Sequence, residues 1–117
     1  MELADLIQQQ IERDRHRGFP VDFVHDGERI NQLMRDLVGL LGEVGEFANL
    51  LKKVDLGQTT PGYVAPSLGD VEAQLREELA DVAIYLFRLT TILGGNLERD
   101  ILQKIRVNDE RYRGLGD

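Results

Sequence analysis

GEVGEF, residues 42–47, lies in the middle of a long segment whose apolar residues recur at helical spacing, and it carries Glu43 and Glu46 three residues apart. Residues at i and i+3 are neighbours on one helix face, so the two carboxylates project together. A second stretch, EELADV at 77–82, repeats the arrangement with Glu78 and Asp81. Two such helices packed side by side would gather four acids in one place. Clustered carboxylates repel one another unless protons or cations intervene. Hard divalent cations held by oxygen ligands are the natural remedy.

Working outward, the segment from about Glu28 to Val54 has Leu33, Leu37, Leu40, Leu41, Val44, Phe47, Ala48 and Leu51 on one broad stripe, which predicts an amphipathic helix. Glu43 and Glu46 fall on one flank of that stripe, where a site is half desolvated yet reachable. Gly39, Gly42 and Gly45 lie inside the same helix, each costing about 1 kcal/mol relative to alanine. Close approach of a neighbouring helix, or room for a ligand beside the acids, would account for them.

The next helix is predicted from about Asp70, read as its N-cap, to the Gly94-Gly95 stop, with Leu75, Leu79, Val82, Ala83, Leu86 and Leu89 inward. Glu78, Asp81 and Tyr85 cluster on its flank. Between the two helices, residues 55–69 (DLGQTTPGYVAPSLG) contain three glycines and two prolines and read as a loop. Before them, residues 2–15 form a first helix with Leu3, Leu6, Ile7 and Ile11 aligned. GFPVDFVHDG then reads as a connector whose Phe19, Val21 and Phe23 turn into the core, with His25 as an exposed or capping residue. Asn96 is expected to cap a fourth helix reaching about Arg113, with Leu97, Ile101, Ile105 and Tyr112 inward. On it Lys104, Asn108 and Arg111 follow at i, i+4 and i+7, a polar and mostly cationic strip. Strand-like alternation is almost absent, so the fold class is all-α: a bundle of about four helices.

Composition narrows the function classes. At 117 residues the chain is expected to be a single domain, 1–117, able to bury a core without staples. A net charge of −7 argues against a nucleic-acid binder, which would show a basic face. No stretch approaches the roughly 18 apolar residues of a membrane span. The polar N-terminus lacks the apolar centre of a signal peptide, so the expected location is cytoplasmic. Without cysteine there is no thiolate site. The absence of Glu-x-x-His argues against the di-iron carboxylate bundles. The ligand set is therefore all oxygen, which favours Mg²⁺ or Mn²⁺. No GxxxxGK loop is present, which excludes a P-loop enzyme. A helix of some 27 residues is about 40 Å long. That exceeds what a globule of this size covers alone, so self-association into a homodimer or homotetramer is expected.

Taken together, GEVGEF, EELADVAIYL and KIRVNDERY resemble the all-α nucleoside triphosphate pyrophosphohydrolases of the MazG-like superfamily, over about residues 28–112. The last two segments are particularly similar to the dCTP pyrophosphatase branch and its small bacterial relatives. The spacer between the acid pairs is somewhat longer than the family usually shows, and tryptophan, which that branch places around its base, is lacking here. Base preference therefore stays open.

The resemblance implies Mg²⁺-dependent hydrolysis of a nucleoside triphosphate, a dNTP or non-canonical NTP, to the monophosphate and pyrophosphate in nucleotide-pool house-cleaning. By the same resemblance Glu43, Glu46, Glu78 and Asp81 hold the metal and are catalytic. Lys104, Asn108 and Arg111 would meet the phosphates or sugar, and Tyr85 would stack on the base or line the sugar site. A nucleotide- or metal-binding regulatory module without turnover, and a purely structural helical protein, are the alternatives.

Overall fold

The longest helix decides the shape of the molecule, and it is longer than its composition suggests. The computed structural model describes residues 1–116, and among these the order is α1 (Leu3–Arg17), α2 (Asp26–Thr59), α3 (Leu68–Ile92) and α4 (Leu97–Arg111), with no strand. α2 thus runs five residues past Val54, through Gly57, where the sequence predicts a loop. Pro61 stops it, not the glycine, since proline cannot supply the next helical N–H. Gly57 instead allows the connector to fold back. A Cβ at that position would stand 2.7 Å from the Cβ of Ala65.

Helix starts follow local hydrogen bonding. α3 begins at Leu68, not Asp70: Ser67 is the N-cap, its Oγ accepting from the Asp70 backbone N–H while Asp70 Oδ2 accepts from the Ser67 N–H. Asp70 is therefore the third-position half of a capping box. α4 starts at the expected cap, with Asn96 Oδ1 accepting from the Arg99 N–H. α1 ends on Gly18 in the left-handed region, φ 83°, which glycine adopts without strain.

α2 and α3 form the spine, antiparallel and packed along their length, with α1 and α4 set against α3 and against each other. Contacts step along the spine in opposite directions on the two helices. Leu33 meets the Ile92 end, Asp36 meets Arg88, Gly39 meets Tyr85, and Val54 meets Val71 and Leu75. Apolar burial is concentrated at the two ends of this seam. Ile11, Val21 and Ile92 form one cluster, backed by Ile7, Phe23 and Leu33. Val54, Val71 and Leu75 form the other, backed by Phe47 and Leu50. The seam between them is polar.

Much of the expected core is uncovered. Leu41 is 58 % exposed, Val44 44 % and Leu79 51 %. On α4, Ile101, Ile105 and Tyr112 are exposed, contrary to the inward placement the periodicity predicts. Phe19 is exposed as well, while Val21 is buried and Phe23 partly so. His25 occupies the N-cap position of α2 without a side-chain cap bond. The reason is shape. The radius of gyration is 18.4 Å, against about 13–14 Å for a compact chain of this length. A two-helix spine has more apolar stripe than two short helices can cover.

Candidate metal centre

The polar seam brings three of the acids together. One carboxylate oxygen from each of Glu43, Glu46 and Glu78 lies within 4.8 Å of the others. α2 supplies the first two from adjacent turns, and α3 presents Glu78 across the antiparallel seam. Glu43 and Glu78 are half-buried and Glu46 is exposed, so the cluster opens to solvent on one side. Glu78 Oε2 is covered and, among the described residues, has no hydrogen-bond partner. A covered carboxylate oxygen without a donor is costly.

The crowding is visible in proton affinity. Glu78 is pushed up to about 7, first by a proton shared with Glu43, then by partial burial, then by Glu46 and the negative charge of both neighbours. A divalent cation would answer the same repulsion and satisfy the stranded oxygen. The all-oxygen donor set suits a hard ion. These residues fit such an ion.

Asp81 stands outside that trio, exposed on the next turn of α3. With Glu43 it lines an adjoining cavity of about 550 Å³, within the range of small-molecule sites. Tyr85 lines the same cavity, its ring laid against Gly39. Of the three glycines, Gly39 is explained by this close approach. A Cβ at Gly42 or Gly45 would meet nothing within 4 Å.

The cationic strip is elsewhere. α4 packs against α3 and α1 and makes no contact with α2. None of Lys104, Asn108 and Arg111 lines the cavity. The Arg111 guanidinium lies over the Tyr112 ring, 5.3 Å from its centre.

The floor of the cavity holds a group that the sequence reading passed over. Arg88, Asp14 and Asp36 are all buried, at 6 %, 3 % and 5 % exposure. Arg88 Nε donates to Asp36 Oδ2 (3.1 Å), Nη1 to Asp14 Oδ2 (3.0 Å) and Nη2 to the Pro20 carbonyl (2.9 Å). Burial works against the charge on Arg88, but its bonds to Asp36 and Asp14 outweigh that and raise its pKa. One side chain thereby ties α1, α2 and the Phe19–Pro20 turn to α3. A signal was present: Asp36 precedes Glu43 by seven residues, and Arg88 follows Glu78 by ten and Asp81 by seven. At helical spacing, that puts both on the seam that carries the acids.

Fold and site together define an all-α helical protein with a carboxylate cluster that could hold a cation, beside a cavity of about 550 Å³. Sequence comparison then identifies its relatives. The chain is 37 % identical to human dCTP pyrophosphatase 1 over 100 residues, and 39 % identical to the mouse protein over 101. The rat protein is 36 % identical over 100 residues. Each match covers 86 % of this chain and 56 % of the relative, so the chain spans little more than half the length of the curated relatives it matches. No protein-family model matches the chain, and no solved structure does. The chain is a relative of the dCTP pyrophosphatases, and the MazG-like resemblance carried by its motifs is borne out.

Proposed function

We propose that the chain is a single MazG-like domain that hydrolyses nucleoside triphosphates, dNTPs or non-canonical NTPs, to the monophosphate and pyrophosphate in a house-cleaning role. The observation that carries this reading is the trio Glu43, Glu46 and Glu78 with its stranded Glu78 oxygen, opening beside a cavity of about 550 Å³. The relatedness to dCTP pyrophosphatases supports the reaction class.

In this reading Glu43, Glu46, Glu78 and Asp81 hold Mg²⁺, with Mn²⁺ as a substitute. Bound cations would neutralise charge on the phosphate oxygens. A carboxylate of the same group would take the proton from the attacking water. Glu43 and Asp81, which line the cavity, would set the scissile phosphate next to the nucleoside. Tyr85 offers the nucleoside an aromatic wall. Lys104 and Arg111 would meet the distal phosphates and Asn108 a phosphate or the sugar, which requires α4 to approach the acids, within the chain or across an oligomer. The uncovered stripes on α2 and α3 support a homodimer or homotetramer. Among the described residues no helix is long and apolar enough to cross a membrane. A cytoplasmic setting, with small-molecule nucleotides and not nucleic acid as partners, completes the proposal.

The test is a panel of triphosphates with Mg²⁺. Pyrophosphate release that disappears in Glu46→Gln is expected. Orthophosphate release, or no turnover on any member, would overturn the proposal. Tight Mg²⁺-dependent binding without turnover would make the protein a nucleotide-sensing module instead.

A further inference from the structure

The polar seam continues past the acid trio. On α2, Asn49, Leu50 and Lys53 follow Glu46 at i+3, i+4 and i+7, which keeps them on its helix face. On α3, Gln74 precedes Glu78 by four residues, and the antiparallel register that sets Val54 against Val71 and Leu75 brings it opposite them. These residues line a second cavity, of about 180 Å³. It shares no lining residue with the first: Glu43 and Asp81 line the larger, Glu46 and Glu78 the smaller. The acids thus stand between two cavities of unlike character. The larger has Tyr85 in its wall. The smaller falls below the roughly 300 Å³ at which organic ligands are enclosed, and apart from Leu50 its lining is charged or amide.

Among the described residues, the side chains of Lys53, Asn49 and Gln74 have no hydrogen-bond or ion-pair partner, although two glutamates line the same cavity. Their N–H groups are left for a ligand: three on the ammonium and two on each amide. The Cα–Cβ bonds of a helix tilt toward its N-terminus, which carries Lys53 back toward Glu46. We propose that Lys53, with Asn49 and Gln74, forms a subsite for the pyrophosphate half of the substrate, across the acids from the nucleoside. This deepens the proposed hydrolysis and rests on it for the nature of the anion. Water adds across the bond between the α- and β-phosphates, and the separated pyrophosphate carries more negative charge than the same two phosphates do in the triphosphate. A fixed ammonium meets that charge as it develops. Lys53 belongs to the helix that carries Glu43 and Glu46, so its distance from the acids is set within α2 and does not depend on where α4 lies.

The experiment titrates the full chain with inorganic pyrophosphate and, separately, with dCMP, both in Mg²⁺, by calorimetry. Lys53 is exposed, so its substitution leaves the fold intact. Lys53→Gln should weaken pyrophosphate binding about tenfold, the loss of one hydrogen bond between charged groups, and leave dCMP binding unchanged. Lys53→Arg keeps the charge and should restore most of the affinity. Lys52→Gln is the control. It removes the same charge one residue away, where the side chain lines a different hollow, and should leave pyrophosphate binding unchanged. In turnover assays, inhibition by added pyrophosphate should weaken in Lys53→Gln by the same factor as binding.

Pyrophosphate binding that is equal in wild type and Lys53→Gln, or that falls as far in Lys52→Gln, overturns the inference even where triphosphates are hydrolysed. So does a wild-type protein that hydrolyses triphosphates and binds no pyrophosphate. An equal loss of dCMP affinity in Lys53→Gln would mean general damage to the site, and it too overturns the subsite. Lys53-dependent pyrophosphate binding without turnover of any triphosphate supports the subsite and overturns the reaction instead.

Discussion

The ring of Tyr85 rests on the backbone of Gly39: a Cβ at that glycine would stand 2.4 Å from both the ring's Cζ and its hydroxyl oxygen. Helix–helix contact and cavity wall are thus made by one pair. Gly39→Ala gains about 1 kcal/mol of helix propensity. It also forces the ring aside, and overpacking of this kind costs roughly 1–3 kcal/mol. A net loss of stability and a raised KM are expected, read by urea unfolding and steady-state kinetics. In a Tyr85→Ala background the same change should become stabilising. An additive double-mutant cycle would show that the contact does not matter.

Neutralising the acid trio should separate stability from activity. Glu46→Gln and Glu78→Gln relieve repulsion among oxygens within 4.8 Å of one another. Metal-free protein should then melt at a higher temperature than wild type. The rise in melting temperature on adding Mg²⁺ should shrink, and pyrophosphate release should drop on the order of 100-fold or more. Calorimetry and a coupled pyrophosphate assay measure the two effects. A variant that keeps the full Mg²⁺ response argues against this site.

Stability of the metal-free protein should fall as pH rises from about 4.5 to 7. Glu78 holds its proton up to about 7 in the fold against an ordinary 4.5, so the folded state binds more protons across that window. Its stabilising contribution is complete below the ordinary value and lost as pH passes through 7. Saturating Mg²⁺ should flatten this slope, and Mg²⁺ affinity should weaken as pH drops below 7 because the ion must displace that proton. Thermal melts at pH 5, 6, 7 and 8, with and without Mg²⁺, test both statements. A melting temperature that climbs over this range without metal would refute the assignment.

Arg88→Met should be among the most damaging single substitutions. It leaves Asp14 and Asp36 buried without their cation, and breaking a buried ion pair from one side costs about 3–5 kcal/mol. Replacing Asp14, Asp36 and Arg88 together with apolar residues should recover most of that loss, since no unpaired charge remains. Denaturant midpoints of the two variants decide the matter. Equal destabilisation would mean that the packing of the side chains, not their charge, holds the three helices.

The uncovered stripe on α2 should be an interface between copies of the chain. Sedimentation is expected to give a dimer or tetramer, and Leu41→Lys, at a position 58 % exposed in the single chain, should shift it toward monomer. A wild-type monomer at all concentrations would contradict the proposed assembly.

Helical periodicity and the repeated acid spacing were enough to read the all-α class, the four helices and the residues of the acid trio. Both signals are local: apolar stripes and i, i+3 pairs follow from helix geometry alone. Ends were less legible. Gly57 reads as a breaker, yet it lies inside α2, where Ala65 packs against the place its side chain would take. Asp70 reads as a cap, yet Ser67 holds that position and Asp70 answers it.

What only the tertiary structure decided lies between helices. It put Asp81 outside the trio, kept Lys104, Asn108 and Arg111 away from α2, and gathered Asp14, Asp36 and Arg88 from three helices into one buried group. No spacing within a single helix encodes such a meeting. It depends on the antiparallel register of α2 and α3 and on where the Phe19–Pro20 turn delivers α1. The residues that could hold a cation were therefore written in the chain itself. The wall that would choose its ligand came from the packing.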